Sequence, residues 1–418
     1  MITSFKKPKG SIVRWAKRPD YFIAMLFALP LSLVHKYATS SVYSTWTHSK
    51  RDMPKLPDFW VFFRDGDSIL SGHYKKVYQT SLDQAGSLQV TLDRLLAEIA
   101  HFISWPVFFW LLNVFILVSL SYLARSLVPL HYSGDVSSNA PFDNNAKSLE
   151  QKRTRASIIV ILVASLAGLP VLIVDWGHWW QIPVFFLWWF SIRNLNFDKP
   201  IRAGLMTAVS IGLEPWAILG VLPISFSHKG WKSRIIYLST SMLGLLFWLP
   251  FYLTPGFAFG KKHWAVFDSS LWGAWRVVGF TWTDRLIQGA LVSLLACLTG
   301  ILASKVALPS VWKAWILVAT LGLLRIGLDS ITFTYYWQGI ALFLLAGVGA
   351  VWGNNNKEKW ISSLLFLLTI PFWIPWNHLT KANAWAEPAT FIGALLLLAG
   401  LVFLFLWKKK NKITLQEG

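Results

Sequence analysis

The sequence predicts an all-α, polytopic integral membrane protein, and three observations predict it. Hydrophobic residues make up 55% of the 418 positions and the mean hydropathy is +0.48, which excludes an ordinary soluble enzyme. Apolar runs of membrane-crossing length recur from Tyr21 to Trp407, which favours a helical bundle over a barrel. The 26 tryptophans gather near the ends of those runs, where an indole suits the headgroup layer. Residues 1–418 read as one membrane domain of about 12 transmembrane segments, two of them short arms of a broken hairpin.

The first run, Tyr21 to Tyr37, lacks a small-residue cleavage site and reads as a retained helix rather than a signal peptide. Residues 1–20 carry Lys6, Lys7, Lys9, Arg14, Lys17 and Arg18, which hold the N-terminus in the cytoplasm. Residues 38–96 form a long first outer loop, in which Trp60, Phe62, Phe63, Ile69 and Leu70 predict an amphipathic helix at the interface. A second span runs from about Glu98 to Leu123. The polar stretch 130–155 reads as a mobile cytoplasmic connector.

Two short spans, 157–174 and 181–192, are joined outside by residues 175–181. Between Arg202 and the cluster Lys229, Lys232 and Arg234 lies about one crossing of apolar sequence, yet both basic ends belong in the cytoplasm. A break at Glu214-Pro215 resolves this, because proline removes a backbone donor and ends or kinks the helix. The arms 203–213 and 216–227 then return to the same side with Glu214 at the buried apex. Six further spans fit at about 235–254, 284–304, 312–328, 331–352, 360–374 and 389–407, leaving the tail 408–418 in the cytoplasm.

In this arrangement nearly the whole net charge of +19 faces the cytoplasm. That is a membrane-topology bias and not a nucleic-acid footprint. The lone Cys297 excludes disulfides within the chain and cysteine metal sites. Neither a Gly-rich phosphate loop nor a Rossmann unit is present, no cofactor is implied and no complete metal-ligand set is visible. The absence of a convincing internal repeat weakens transporter readings that depend on one.

Polar residues in a membrane bundle are functional candidates, since each costs a few kcal/mol unless paired or solvated. Asp58, Asp65 and Asp67 load the first outer loop with carboxylates that insertion does not require. A carboxylate at the membrane surface beside a lipid-soluble substrate can serve as the base of a glycosyl transfer. Asp175, Gly177, His178 and Gln181 cluster at a tight outer turn, where His178 could meet a phosphate oxygen or assist proton transfer. Arg325 lies four residues before Asp329, a helical spacing that predicts an ion pair; the alternative is a guanidinium gripping phosphate, with Tyr335 and Tyr336 following. Lys261, Lys262, His263 and Arg276 share an outer loop with Trp264, Trp272 and Trp275, a mixture suited to an anionic lipid head.

The order of these residues resembles the GT-C superfamily of membrane glycosyltransferases. Within it, the chain resembles the bacterial polyprenyl-phosphate-mannose-dependent alpha-mannosyltransferases. Asp58, Phe62, Gly72 and Tyr78, then Trp105-Pro106, match the first-loop pattern and the aromatic-Pro opening of the second helix. Gly177-His178 stands where the family has Gly-Gln. Ala203-Gly204, Gly212-Leu213 and Glu214-Pro215, followed by Lys229 to Arg234, parallel its Ala-Gly, Gly-Leu, Lys-Pro and basic segment. Position 214 is thus glutamate where the family has lysine, and position 178 histidine where it has glutamine.

The resemblance covers about half the chain, mainly 58–125 and 175–235. It implies Asp58 as general base, inversion at the anomeric carbon, and no nucleotide-sugar site. The expected partners are a polyprenyl-phosphate-sugar donor and a glycolipid or cell-envelope glycan acceptor at the outer face of the plasma membrane. His178, Gln181, Glu214, Lys261, Lys262, His263, Arg276, Arg325 and Tyr336 are the candidates for holding donor phosphate or sugar. A lipid or solute transporter is the competing expectation.

Overall fold

The computed structural model describes residues 18–46, 58–73, 77–78, 85–128, 142–175, 178–253, 264–266, 270–274, 277, 279–306, 308–330, 334–353, 391–396, 398–400 and 402. The predicted span at 360–374, the tail 408–418, and the candidates Lys261, Lys262, His263 and Arg276 lie outside these residues. What is described is almost entirely helical, with a single two-stranded ribbon pairing β1 (Trp264–Ala265) with β2 (Gly279–Phe280).

Helix α1 (Pro19–Trp46) runs past the expected start of the outer loop at residue 38. Its face packs along α4 (Trp105–Leu127), and the two are tied where buried Asp20 accepts from the Arg125 guanidinium at 3.0 Å. The stretch expected as the outer loop forms a helical hairpin, α2 (Asp58–Leu70) against α3 (Ser87–Ile103). Gly66 permits that packing, since a Cβ there would fall 2.3 Å from the Val90 carbonyl oxygen. The expected second span at 98–123 starts later, because Ser104 takes a left-handed φ of 80° and Pro106 opens a new helix.

The connector expected at 130–155 is helical from residue 142 onward, within α5 (Phe142–Leu166). Its polar first half is held in the fold by Glu150 and Thr154, both of which accept from Arg125, so a tertiary ion pair outweighs the low apolar content. Ala167-Gly168 then interrupts the apolar run, with Gly168 at φ 65°, before the short α6 (Leu169–Asp175). Helix α7 (Gln181–Asn196) lies against α8 (Pro200–Leu213).

The expected break at Glu214 is present. Glu214 is extended (φ −137°, ψ 123°), a 3-10 turn Pro215–Gly220 follows, and α9 (Val221–Phe226) completes the second arm. The chain comes back on itself. Asp198, before α8, accepts from Ser233 at 2.5 Å and lies 3.9 Å from His228, both near the start of α10 (Trp231–Ser241). The run expected at 235–254 is not one smooth helix but α10, a 3-10 piece Met242–Phe247 and α11 (Leu249–Tyr252), Pro250 opening the last.

After the one-turn α12 (Leu271–Ala274) come α13 (Trp282–Lys305), α14 (Ser310–Gly327) and α15 (Thr334–Gly353). A Thr281–Asp284 capping box starts α13, satisfying two of its orphan N–H groups. Among the described residues three helical stretches are long and apolar enough to cross a membrane: Pro106–Leu127, Trp282–Lys305 and Ser310–Gly327. Shorter apolar helices surround them, and α13 turns Leu286, Ile287, Leu294 and Leu298 outward, a perimeter suited to acyl chains. The buried core includes Trp188 and Trp189 of α7, Trp315 of α14 and Phe343 of α15.

Candidate functional site

Helix α3 supplies the first polar groups. Its buried positions include Gln89, Val90, Asp93, Ala97 and Ala100, at helical spacing, so a glutamine and an aspartate point into a largely apolar contact. Gly86 sets the depth of that contact. Its N–H donates to the Leu213 carbonyl at 3.0 Å, and a Cβ there would lie 2.1 Å from that oxygen. The end of α8, and with it Glu214, is thereby brought to the N-terminal part of α3.

The turn before α7 closes over the same region. The Gln181 N–H donates to the His178 carbonyl at 3.1 Å, and the Trp180 indole donates to Asp93 Oδ1 at 2.6 Å. Burial pushes the Asp93 carboxyl well above the usual carboxylate range, although the Trp180 donor opposes the shift and nearby Glu214 adds to it. Phe62 of α2 meets the His178 ring edge-on, with centroids 5.5 Å apart. Asp58 is the first residue of that helix, one turn before Phe62. Gln181 is fully buried with neither amide atom hydrogen-bonded; Gly339 of α15 leaves it room, since a Cβ there would lie 2.7 Å from its Oε1.

Glu214 is 4% exposed, and its Oε2 accepts from the Trp216 indole at 3.0 Å. It interacts electrostatically with His178 and Arg325. The Arg325 guanidinium lies 3.9 Å from the Trp216 ring centroid, a cation–π stack in a buried setting. Asp329 is paired with Arg285 of α13 at 2.5 Å, and Arg285 also donates to Gln288 at 2.8 Å.

These residues close one end of a groove of about 810 Å³ between the 215–226 arm, α10 and α13. Its walls are apolar, from Ile218, Leu219, Leu222, Leu286 and Leu294, while Arg285, Gln288, Arg325 and Asp329 gather where α13 begins and α14 ends. Leu294 lies nine residues beyond Arg285, about 13 Å further along the helix. A long apolar channel with two guanidiniums at its head fits an anionic group on a hydrocarbon chain.

The structure thus brings His178, Gln181, Glu214 and Arg325 into one region, with the helix that Asp58 opens beside it. Tyr336 lies in the first turn of α15. Asp65 is paired with Arg64 and Asp67 with Arg94. Gln89, Asp93, Arg285 and Gln288 were not singled out in the sequence. The signal was there for two of them, since Gln89 and Asp93 fall on the apolar face of an amphipathic helix. Among the described residues no group of three or more His, Cys, Asp or Glu is placed to hold a metal ion. No protein-family model matches the chain, and no curated protein matches it.

Proposed function

We propose that the protein is a polytopic glycosyltransferase that takes a sugar, most simply mannose, from a polyprenyl-phosphate carrier. The sugar passes to a glycolipid or cell-envelope glycan at the outer face of the plasma membrane. The observation that carries this reading is the groove, an apolar channel ending in Arg285 and Arg325. About 12 spans, with both termini in the cytoplasm, complete the proposed topology. The meeting of residues 198, 228 and 233 supports it, because it gathers Lys199, Arg202, Lys229 and Lys232 at one end of α8 while the outer-loop hairpin docks at the other.

In the proposed reaction the acceptor hydroxyl gives its proton to Asp58 as its oxygen attacks the anomeric carbon. The bond from that carbon to the phosphate oxygen breaks, its electron pair leaves with the polyprenyl phosphate, and configuration inverts. Arg325, with its neighbouring cation Arg285, stabilises the charge that develops on the leaving phosphate. The donor is already activated as a lipid, so no nucleotide site is needed.

Transport is the second reading, favoured by the buried carboxyls of Asp93 and Glu214. Purified protein in detergent, given a polyprenyl-phosphate-mannose donor and lipid acceptors, separates the two. Sugar transfer without compartments supports the enzyme; its absence, with substrate movement in sealed vesicles, supports the transporter.

A further inference from the structure

The turn before α7 and the break at Glu214 hold buried polar atoms that the fold itself does not pair. Gln181 is fully buried, and among the described residues neither its Oε1 nor its Nε2 has a hydrogen-bond partner. The same holds for Glu214 Oε1 and for the Trp179 indole N–H, on residues no more than 5% exposed. A buried amide left unpaired lowers stability, whereas an apolar side chain of the same shape would not. Retaining such groups together points to a ligand that pairs them.

These groups share one neighbourhood. Trp179 stacks on Trp180 with ring centroids 3.9 Å apart, and the Trp180 indole donates to Asp93. The Gln181 N–H donates to the His178 carbonyl, and His178 interacts electrostatically with Glu214. Glu214 in turn accepts from the indole of Trp216, a residue that lines the groove. The cluster therefore adjoins the groove at Trp216.

Its chemistry is selective. The amide offers a donor and an acceptor, the indole a donor and the carboxylate an acceptor. A hydroxyl group both donates and accepts, so a ring that carries several can pair with all of them. A fully ionised anion brings acceptors alone, and an apolar group brings neither. The neighbouring indoles add the flat apolar surface that suits the C–H face of such a ring. We propose that Trp179, Gln181 and Glu214 form a subsite for a hexose ring, with Gln181 as a specificity-determining residue. This rests on the reading that the groove takes a lipid phosphate, and it separates the residues that hold the sugar from the guanidiniums at the groove's head. The hexose arrives either on the carrier lipid or on the acceptor.

The test uses full-length protein in detergent, with Kd measured for mannosyl farnesyl phosphate, for methyl farnesyl phosphate (a diester of the same charge without the sugar) and for methyl mannoside. If the hexose is the donor's, the wild type should bind the mannosyl lipid about tenfold more tightly than the methyl lipid, as expected for one or two added hydrogen bonds. Gln181→Leu should erase most of that difference and leave the methyl lipid unchanged. Its melting temperature without ligand should hold or rise, because an unpaired amide gives way to an apolar group of similar size. Should Gln181→Leu fail to fold, Gly339→Ala should narrow the same difference, since its new Cβ would lie 2.7 Å from Gln181 Oε1. Equal binding of the two lipids, with methyl mannoside binding that either substitution weakens, assigns the subsite to the acceptor's hexose. A mannosyl preference that survives both substitutions overturns the proposal, as does an equal loss of both lipids in Gln181→Leu. Equal binding of the two lipids with methyl mannoside binding unaltered by either substitution also overturns it, and leaves the lipid-phosphate reading standing. Binding of neither lipid overturns that reading and the proposal with it.

Discussion

Phe62 and His178 meet edge-to-face with ring centroids 5.5 Å apart, and this contact joins α2 to the turn before α7. Both rings are more than nine-tenths buried, so the contact fixes where α2 lies. The helix that Asp58 opens is thereby held beside the region shared by Gln181, Glu214 and Arg325.

Arg325→Ala should weaken use of a lipid-phosphate donor, because it removes the guanidinium stacked on Trp216 at the head of the groove. Arg325→Lys should rescue donor use only in part, since lysine keeps the charge but lacks the planar fork and stacks poorly. Donor KM and direct lipid-phosphate binding measure this. An Ala variant that folds and keeps its donor dependence would reduce Arg325 to a packing role.

The hairpin broken at Glu214 predicts that Asn196 and Ser227 share one side of the membrane. Single cysteines at the two positions, in a background lacking Cys297, should label together, both from the same compartment. Labelling of one from outside and of the other only after permeabilisation would refute the two-arm topology.

Gly86→Ala should destabilise the protein by at least 1–3 kcal/mol, about the cost of overpacking, because the new methyl group would strike the Leu213 carbonyl. Thermal unfolding in detergent checks this. Donor binding should fall with stability, since Gly86 sets the approach of α3 to Glu214.

Asp93 gives a pH prediction. Its folded pKa is raised, chiefly by burial. The fold therefore holds the proton beyond the pH at which the unfolded chain releases it. The stability this contributes is full below the unfolded carboxylate pKa and is lost as pH rises through the folded value. Asp93→Asn keeps an oxygen for the Trp180 indole and removes the buried charge, so its melting temperature should decline less than that of the wild type between acid and mildly alkaline pH. Parallel pH profiles for the two proteins would contradict this.

Much of the helical order was legible in the sequence, and the reasons differ by element. The break at Glu214-Pro215 could be read because proline and the positive clusters on either side constrain one another. Residues 142–155 could not, because their helix depends on Arg125, a partner on α4 that no local pattern reveals. The start of α4 was misplaced for a local reason: the apolar pattern runs on through Ser104, and only the left-handed backbone there separates two helices. At the site, Glu214, His178, Gln181 and Arg325 stood out as polar residues in apolar surroundings. Arg285 did not, because an arginine at a helix start looks like an interfacial anchor until the fold sets Asp329 against it.

The most direct test of the account is sugar transfer by Asp58→Asn in detergent, with a polyprenyl-phosphate-mannose donor and lipid acceptors. The substitution preserves shape and removes the proton acceptor. Loss of general-base assistance typically costs about 100- to 10,000-fold in rate, so turnover should nearly vanish while expression and donor binding persist. Asp65→Asn and Asp67→Asn are the controls and should be milder, since those acids are already paired with Arg64 and Arg94. Substantial turnover by Asp58→Asn would contradict the assignment of the base, and donor binding lost together with turnover would make Asp58 a positioning residue instead.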